Sequence, residues 1–117
     1  MNYFAIRPVR NITEEFSKKV NESLLNFINA GNTVYDPIRD TDQKDPVGIR
    51  ICKDNRTAIE NADAIIFMWD GKSTGCLFDL GIAFALRKPI IIPDYFILQK
   101  TDHKSFQNMI IAWKTEQ

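Results

Sequence analysis

The residues best placed to do chemistry lie in the segment Asp70-Gly71-Lys72-Ser73-Thr74-Gly75-Cys76-Leu77-Phe78-Asp79, a polar turn that runs into a helix-forming stretch holding one acid. Free amides at a helix start, together with the helix dipole, receive phosphate or another oxyanion. Ser73, Thr74 and Gly75 are therefore candidate anion-binding residues, with Lys72 as an added point charge. Plain N-capping by Ser73 or Thr74, worth about 1 kcal/mol, accounts for the same residue types. Asp79 falls about one turn into the helix, where the dipole favours its ionised form. A carboxylate there can attack a sugar carbon or hold ribose hydroxyls, or it can simply complement the dipole. The segment does not match G-x-x-x-x-G-K-[ST], which argues against a nucleoside triphosphatase loop.

Other candidates cluster around it. Arg7 and Arg10 follow the first apolar run, and guanidinium groups bind phosphate well. Trp69 and Asp70 end the run Ala64–Trp69; the indole either stacks a base or packs beneath the sheet edge. His103, the sole histidine, precedes the last helix and reads as a surface or capping residue.

Elements that position these residues follow from hydrophobic spacing. Tyr3 to Ile6 reads as a first strand stopped at Arg7-Pro8. From Thr13 to Ala30, Phe16, Val20, Leu24, Phe27 and Ile28 recur at helical spacing, with Glu14 and Glu15 in the first turn and Gly31 as the stop. Thr33 to Asp36 gives a second strand, and Pro37 through Pro46 a polar loop holding Arg39, Asp40, Asp42 and Gln43. Loops of that length are often functional. A helix is expected from Asp45-Pro46 to Asn61, with Ile51, Asn55, Ala58 and Ala62, or Cys52 and Ile59, turned inward and with Gly48 weakening its first turn. Ala64 to Trp69 is a buried strand, Pro89 to Ile92 another, and Ser105 to Trp113 a final helix. Gly81, Ala83 and Ala85 are expected to let the intervening helix lie close on the sheet.

The order βαβαβαβα with short apolar strands specifies an α/β fold of three layers: a small parallel sheet with helices on both faces. Right-handed crossovers make a flavodoxin-like strand order 2-1-3-4 the expected topology, with ligands at the carboxyl edge of the strands. One sheet edge should then be covered by the last helix or by another subunit.

Composition sets the bounds. At 117 residues the chain is one domain by size. Lys plus Arg and Asp plus Glu each total 15, so no global field draws it to nucleic acid or an anionic membrane. Cys52 and Cys76 form no Cys-x-x-Cys and lack accompanying histidines, against a disulfide framework or a metal site. No window approaches the roughly 18 apolar residues of a membrane span, and the start lacks a leader's pattern. Reduced thiols in a soluble, cytoplasmic protein are the expectation.

These residues resemble the nucleoside 2-deoxyribosyltransferase superfamily, which includes nucleoside and nucleotide N-glycosidases of the same small α/β fold. The family's signature is an apolar strand, a Ser or Asp, a Gly, then Glu-Leu-Gly-x-Ala and a Lys-Pro before another apolar strand. Here it is met by Ser73, Gly75, Asp79-Leu80-Gly81, Ala83 and Lys88-Pro89. Val34-Tyr35-Asp36-Pro37 and the run Ala58 to Ile65 are similar to the family's second strand and its helix-to-strand junction. The resemblance implies a single domain over residues 1–117, acting on a small nucleoside or nucleotide rather than a nucleic acid polymer. It implies no cofactor and no metal, and a homo-oligomer in which a neighbouring chain helps complete the pocket.

By the same resemblance Asp79 matches the nucleophilic glutamate that forms a glycosyl-enzyme intermediate, Tyr3 a tyrosine that hydrogen-bonds it, Gln43 a base-contacting loop residue and Ser73 a sugar- or phosphate-contacting one. Asn55 matches a family aspartate. Two departures stand at catalytic positions. Asp79 is one methylene shorter than glutamate, and a misplacement of about 1 Å can cost on the order of a hundredfold in rate. Asn55 cannot serve as acid or base, and Asp54 beside it points about 100° away on a helix.

Readings of different classes follow. One is an enzyme that cleaves or transfers an N-glycosidic bond through a carboxylate nucleophile, in the manner of retaining glycosidases. The alternative is a non-catalytic protein that binds, senses or sequesters a nucleotide derivative such as an ADP-ribose-type signal, an economy of size shared with small phage anti-defence proteins. A phospho-receiver domain would want an acidic pair after the first strand, where Arg7-Pro8 stands instead.

Overall fold

A computed structural model describes residues 1–117. The elements run β1 (Asn2–Ile6), α1 (Glu14–Asn29), β2 (Thr33–Tyr35), α2 (Pro37–Asp40), α3 (Ile49–Asn61), β3 (Ala64–Phe67), α4 (Thr74–Ala85), β4 (Ile90–Ile91), a 3-10 turn (Asp94–Phe96) and α5 (Phe106–Glu116). The four strands are all parallel in the order β2-β1-β3-β4, the flavodoxin-like order expected from the sequence. No helix is long and apolar enough to cross a membrane.

Strict alternation along buried strands divides the core in two. Phe4, Ile6, Ile65 and Phe67 face Ile59 of α3, Leu80 and Ala83 of α4 and Ile110 of α5. Tyr3, Ala5, Ala64 and Ile66 face Val20 and Leu24 of α1, with Phe96 closing that side. Apolar runs without a polar face are what a parallel sheet covered on both sides requires.

The loop expected over residues 37–46 holds a short helix. Asp36 caps α2, its Oδ1 accepting from the amide of Ile38 at 3.0 Å, and Pro37 occupies the first turn where no donor is needed. The carbonyl of Pro37 then accepts from Thr41 N at 3.1 Å and Gln43 Nε2 at 2.8 Å, so the segment folds back on itself. The third helix starts at Ile49, later than expected. Gly48 takes φ +90°, a left-handed conformation that keeps it out of the helix, and Asp45 caps from a distance by accepting from Arg50 N at 2.7 Å.

Small residues on α4 play uneven parts. Ala83 is fully buried against the sheet, but Gly81 and Ala85 are exposed and a methyl group on Gly81 would meet nothing within 4 Å. The close packing expected of all three belongs to Ala83 alone. The β4 edge is covered from within the chain: the side-chain amide of Gln117 pairs with both Ile90 N (2.7 Å) and Ile90 O (2.9 Å), as a neighbouring strand would.

Lys88 has a structural reason to precede Pro89. Its ammonium donates to the carbonyls of Glu60 and Ala62, each at 2.8 Å, at the end of α3 where carbonyls lack helical partners and the dipole favours a cation. Lys88→Met keeps the aliphatic stem and removes both bonds. It is expected to lower stability by about 1–2 kcal/mol, read as a lower urea midpoint at unchanged slope.

Candidate active site

Asp79 and Asn55 come together between α4 and α3, which pack against each other on one face of the sheet. Asn55, a buried residue near the middle of α3, donates from Nδ2 to Asp79 Oδ2 at 3.3 Å. Its own Oδ1 accepts from Thr41 Oγ1 at 2.8 Å, and Thr41 Oγ1 lies 2.7 Å from the hydroxyl of Tyr35. That phenol also reaches the carbonyl of Asp40 at 3.2 Å, while its ring stacks on Phe4 with centroids 5.4 Å apart. Asp79, a partly buried side chain, has no hydrogen-bond partner in the chain besides Asn55.

Burial, partly offset by the Asn55 amide, pushes the Asp79 carboxyl up to about 6. The dipole expectation is thereby corrected. Asp79 is the sixth residue of α4, about 8 Å along the axis from Thr74, and the dipole's effect fades after the first turn. One turn earlier, burial holds the thiol of Cys76 up at about 12, so it stays protonated and unreactive.

Tyr3 does not orient Asp79. Alternation along β1 turns it to the α1 face, where its ring meets Phe27 edge-on and its hydroxyl lies 3.6 Å from Met1 Sδ. The tyrosine connected to Asp79 is Tyr35, through Thr41 and Asn55. Neither Tyr35 nor Thr41 stands out in the sequence; the usable signal was Val34-Tyr35-Asp36-Pro37, where a strand end meets a capped turn.

Arg7 is likewise held as a structural cation. It is buried, and Nη1 lies 3.4 Å from both Asn21 Oδ1 and Asp36 Oδ2. Arg10 is exposed. Trp69 packs beneath the edge, 7% exposed, and its indole donates to Ser73 O at 3.0 Å, which corrects the stacking role in favour of packing. Asp70 Oδ1 accepts from Lys72 N (2.9 Å) and Ser73 N (2.8 Å), shaping the turn before α4. Ser73 is the N-cap, its Oγ accepting from Cys76 N at 3.4 Å; Thr74 and Gly75 are exposed at the helix start. Gln43 uses its Nε2 on the Pro37 carbonyl. Two surface hollows of about 480 and about 570 Å³ lie along α1 and beside β2; Asp79 lines neither. No group of three His, Cys, Asp or Glu side chains comes together to hold a metal ion.

A sequence model of the nucleoside 2-deoxyribosyltransferase family matches residues 8–108 of this chain. The chain belongs to this family. The 2-deoxyribosyltransferase of Bacillus psychrosaccharolyticus is similar in fold, with a TM-score of 0.68 at 19% identity over 95% of this chain and 80% of that one. The CMP N-glycosidase of Clostridium botulinum is similar at a TM-score of 0.58 and 19% identity, over 79% of this chain and 70% of that one. No curated protein matches it. Both similarities place this 2-deoxyribosyltransferase family member in the same fold, with α4 carrying the Asp79-Leu80-Gly81 segment.

The raised Asp79 pKa gives a stability test with a definite sign. A carboxyl that titrates near 4 when unfolded and near 6 when folded imposes no penalty below 4. The penalty grows as pH rises from 4 to 6 and persists above. Discounted for partial exposure, it amounts to about 1–2 kcal/mol. Asp79→Asn escapes it, so the variant's urea stability relative to the unaltered chain should improve by about that amount between pH 4 and pH 7.5.

Proposed function

We propose that this chain breaks the N-glycosidic bond of a nucleoside or nucleotide, with Asp79 as nucleophile, and passes the sugar to water or to a second base. The observation that supports it most is a partly buried carboxylate held by one amide in the helix that carries the family's motif. In this reading an Asp79 oxygen attacks the anomeric carbon, the bond to the base breaks, and its electron pair leaves with the base, which takes a proton from solvent. Water or an acceptor base then attacks the same carbon, gives up a proton and frees the carboxylate, so configuration is retained. Above pH 6 Asp79 is ionised and ready to attack. The exposed amides at the start of α4, the free acceptor of Gln43 and the exposed Arg10 are the groups offered to sugar, phosphate and base. Residues 1–117 serve as one domain in this reading.

A second reading is favoured by one specific observation. The groups that act on Asp79 are its burial and Asn55, with no second acid among them. A site that holds a nucleotide derivative without turning it over fits that neutral neighbour. Incubation with nucleosides, nucleoside monophosphates and ADP-ribose derivatives, followed by chromatography for free base, decides between the readings. Base release lost in Asp79→Ala, with an acid limb near pH 6, is the expected result; unchanged ligand recovered from a tight complex after denaturation supports sequestration.

We also assign the outer face of α4 to a second copy of the chain. Apart from Asp79, the helix carries no charged side chain, and Phe78 beside it is 57% exposed. With Phe84 also more than half exposed, α4 presents an aromatic surface of the kind found at interfaces. Light scattering is expected to give a dimer or higher oligomer, and Phe78→Glu a monomer.

A further inference from the structure

We propose that Tyr35 and Thr41 are positioning residues, a pair of hydroxyls that fix which way the Asn55 amide faces and so hold it as a donor to the Asp79 carboxylate. This rests on the reading of Asp79 as nucleophile and adds residues outside the Asp79-Leu80-Gly81 segment.

The number of protons available sets the direction of each bond. Asn55 offers one acceptor end and one donor end, and the two have different neighbours. Its Nδ2 meets Asp79 at 3.3 Å and its Oδ1 meets Thr41 Oγ1 at 2.8 Å. An ionised Asp79 only accepts, so the donor end must face it, and Thr41 must give its single proton to Oδ1. Thr41 Oγ1 then has only lone pairs left for the hydroxyl 2.7 Å away, so Tyr35 is the donor in that contact. All three bonds point towards Asp79.

A turned amide would place its oxygen against the Asp79 carboxylate and leave Nδ2 with only Thr41 to meet, so the donor end faces Asp79 for as long as Thr41 gives its proton to Oδ1. Protonated Asp79 still accepts from Nδ2 through its carbonyl oxygen, so the hydroxyl pair strengthens a bond that matters most to the ionised form. The backbone holds the pair in place: Thr41 N is bonded to the Pro37 carbonyl, and the Tyr35 ring is stacked on Phe4. Around Asp79 the remaining titratable neighbour is Cys76, a neutral thiol one turn back on α4; Asp70 and Arg7 bear on that thiol.

Carbon-13 NMR of the Asp79 carboxyl, assigned by its absence in Asp79→Asn, reads the proposal directly. Thr41→Val leaves Oδ1 without a donor and frees the amide to turn. The Asp79 midpoint is expected to rise by roughly one unit from its value near 6, and Thr41→Ser to restore it. Tyr35→Phe, which keeps the ring stacking, is expected to move it in the same direction by less, and stands in if Thr41→Val does not fold. A midpoint unmoved in folded Thr41→Val and Tyr35→Phe overturns the proposal. If the chain releases base, the acid limb of kcat shifts with the midpoint while KM holds. A carboxyl midpoint that moves with no base release in any variant retains the positioning pair and removes the catalytic reading instead.

Discussion

Placing a carboxylate between two helices that both pack on an apolar sheet sets two demands against each other. The sheet face needs α3 and α4 pressed close, with Ile59, Leu80 and Ala83 buried. The carboxylate needs water or donors, because a buried charge without partners costs several kcal/mol. The chain meets both demands only in part: Asp79 keeps some exposure, and a single amide answers the charge. The residual conflict appears as a carboxyl that holds its proton up to about pH 6. Stability is surrendered locally above that pH, as desolvated functional sites commonly show.

From that pair the polar organisation spreads outward. Asn55 has to be satisfied at its other end, which calls for Thr41; Thr41 has to be delivered by backbone, which calls for the turn made by Asp36, Pro37 and α2. The stretch between β2 and α3 is therefore an internal scaffold. Arg7 belongs to the same scaffold, joining β1 to α1 through Asn21 and to the β2 end through Asp36. Its ion pair is nearly buried, so removing either partner leaves a desolvated charge, which matters more than the attraction itself. A cation in that position is closed to phosphate.

The legible parts of the sequence were those fixed by local pattern. Short apolar tetrads rich in β-branched residues, such as Ala64 to Phe67, read as strands covered on both faces, and Val20 and Leu24 at helical spacing mark α1. Strand order followed from crossover handedness. Facing was harder to read. Because both faces of β1 are apolar, the sequence carries no polar alternation to say whether Tyr3 or Phe4 meets α4. The structure gives that face to Phe4, and Tyr3 lands among the α1 residues. Thr41 was invisible for another reason: its role depends on contacts 14 residues away in the chain, at Asn55, and no periodicity encodes them. Asp79, by contrast, was found by its motif, while its protonation was misjudged because burial outweighs a dipole whose influence ends a turn earlier.

An asparagine rather than an acid at position 55 bears on the charge of the site more than on its shape. Two carboxylates within hydrogen-bonding distance cannot both ionise easily, so a second acid at 55 would push one of the pair still higher. An amide there contributes a donor without a charge, which lowers the Asp79 pKa from where burial alone would set it. The site thus holds one carboxylate that ionises near pH 6 and shares its proton with no second acid. In the proposed reaction that favours a carboxylate already ionised when ligand arrives, and it would repel a phosphate-bearing ligand less than two charges would. It also withdraws the group best suited to protonate a departing base. In the proposed reaction the base therefore leaves with little help, or takes its proton from a donor reached through solvent.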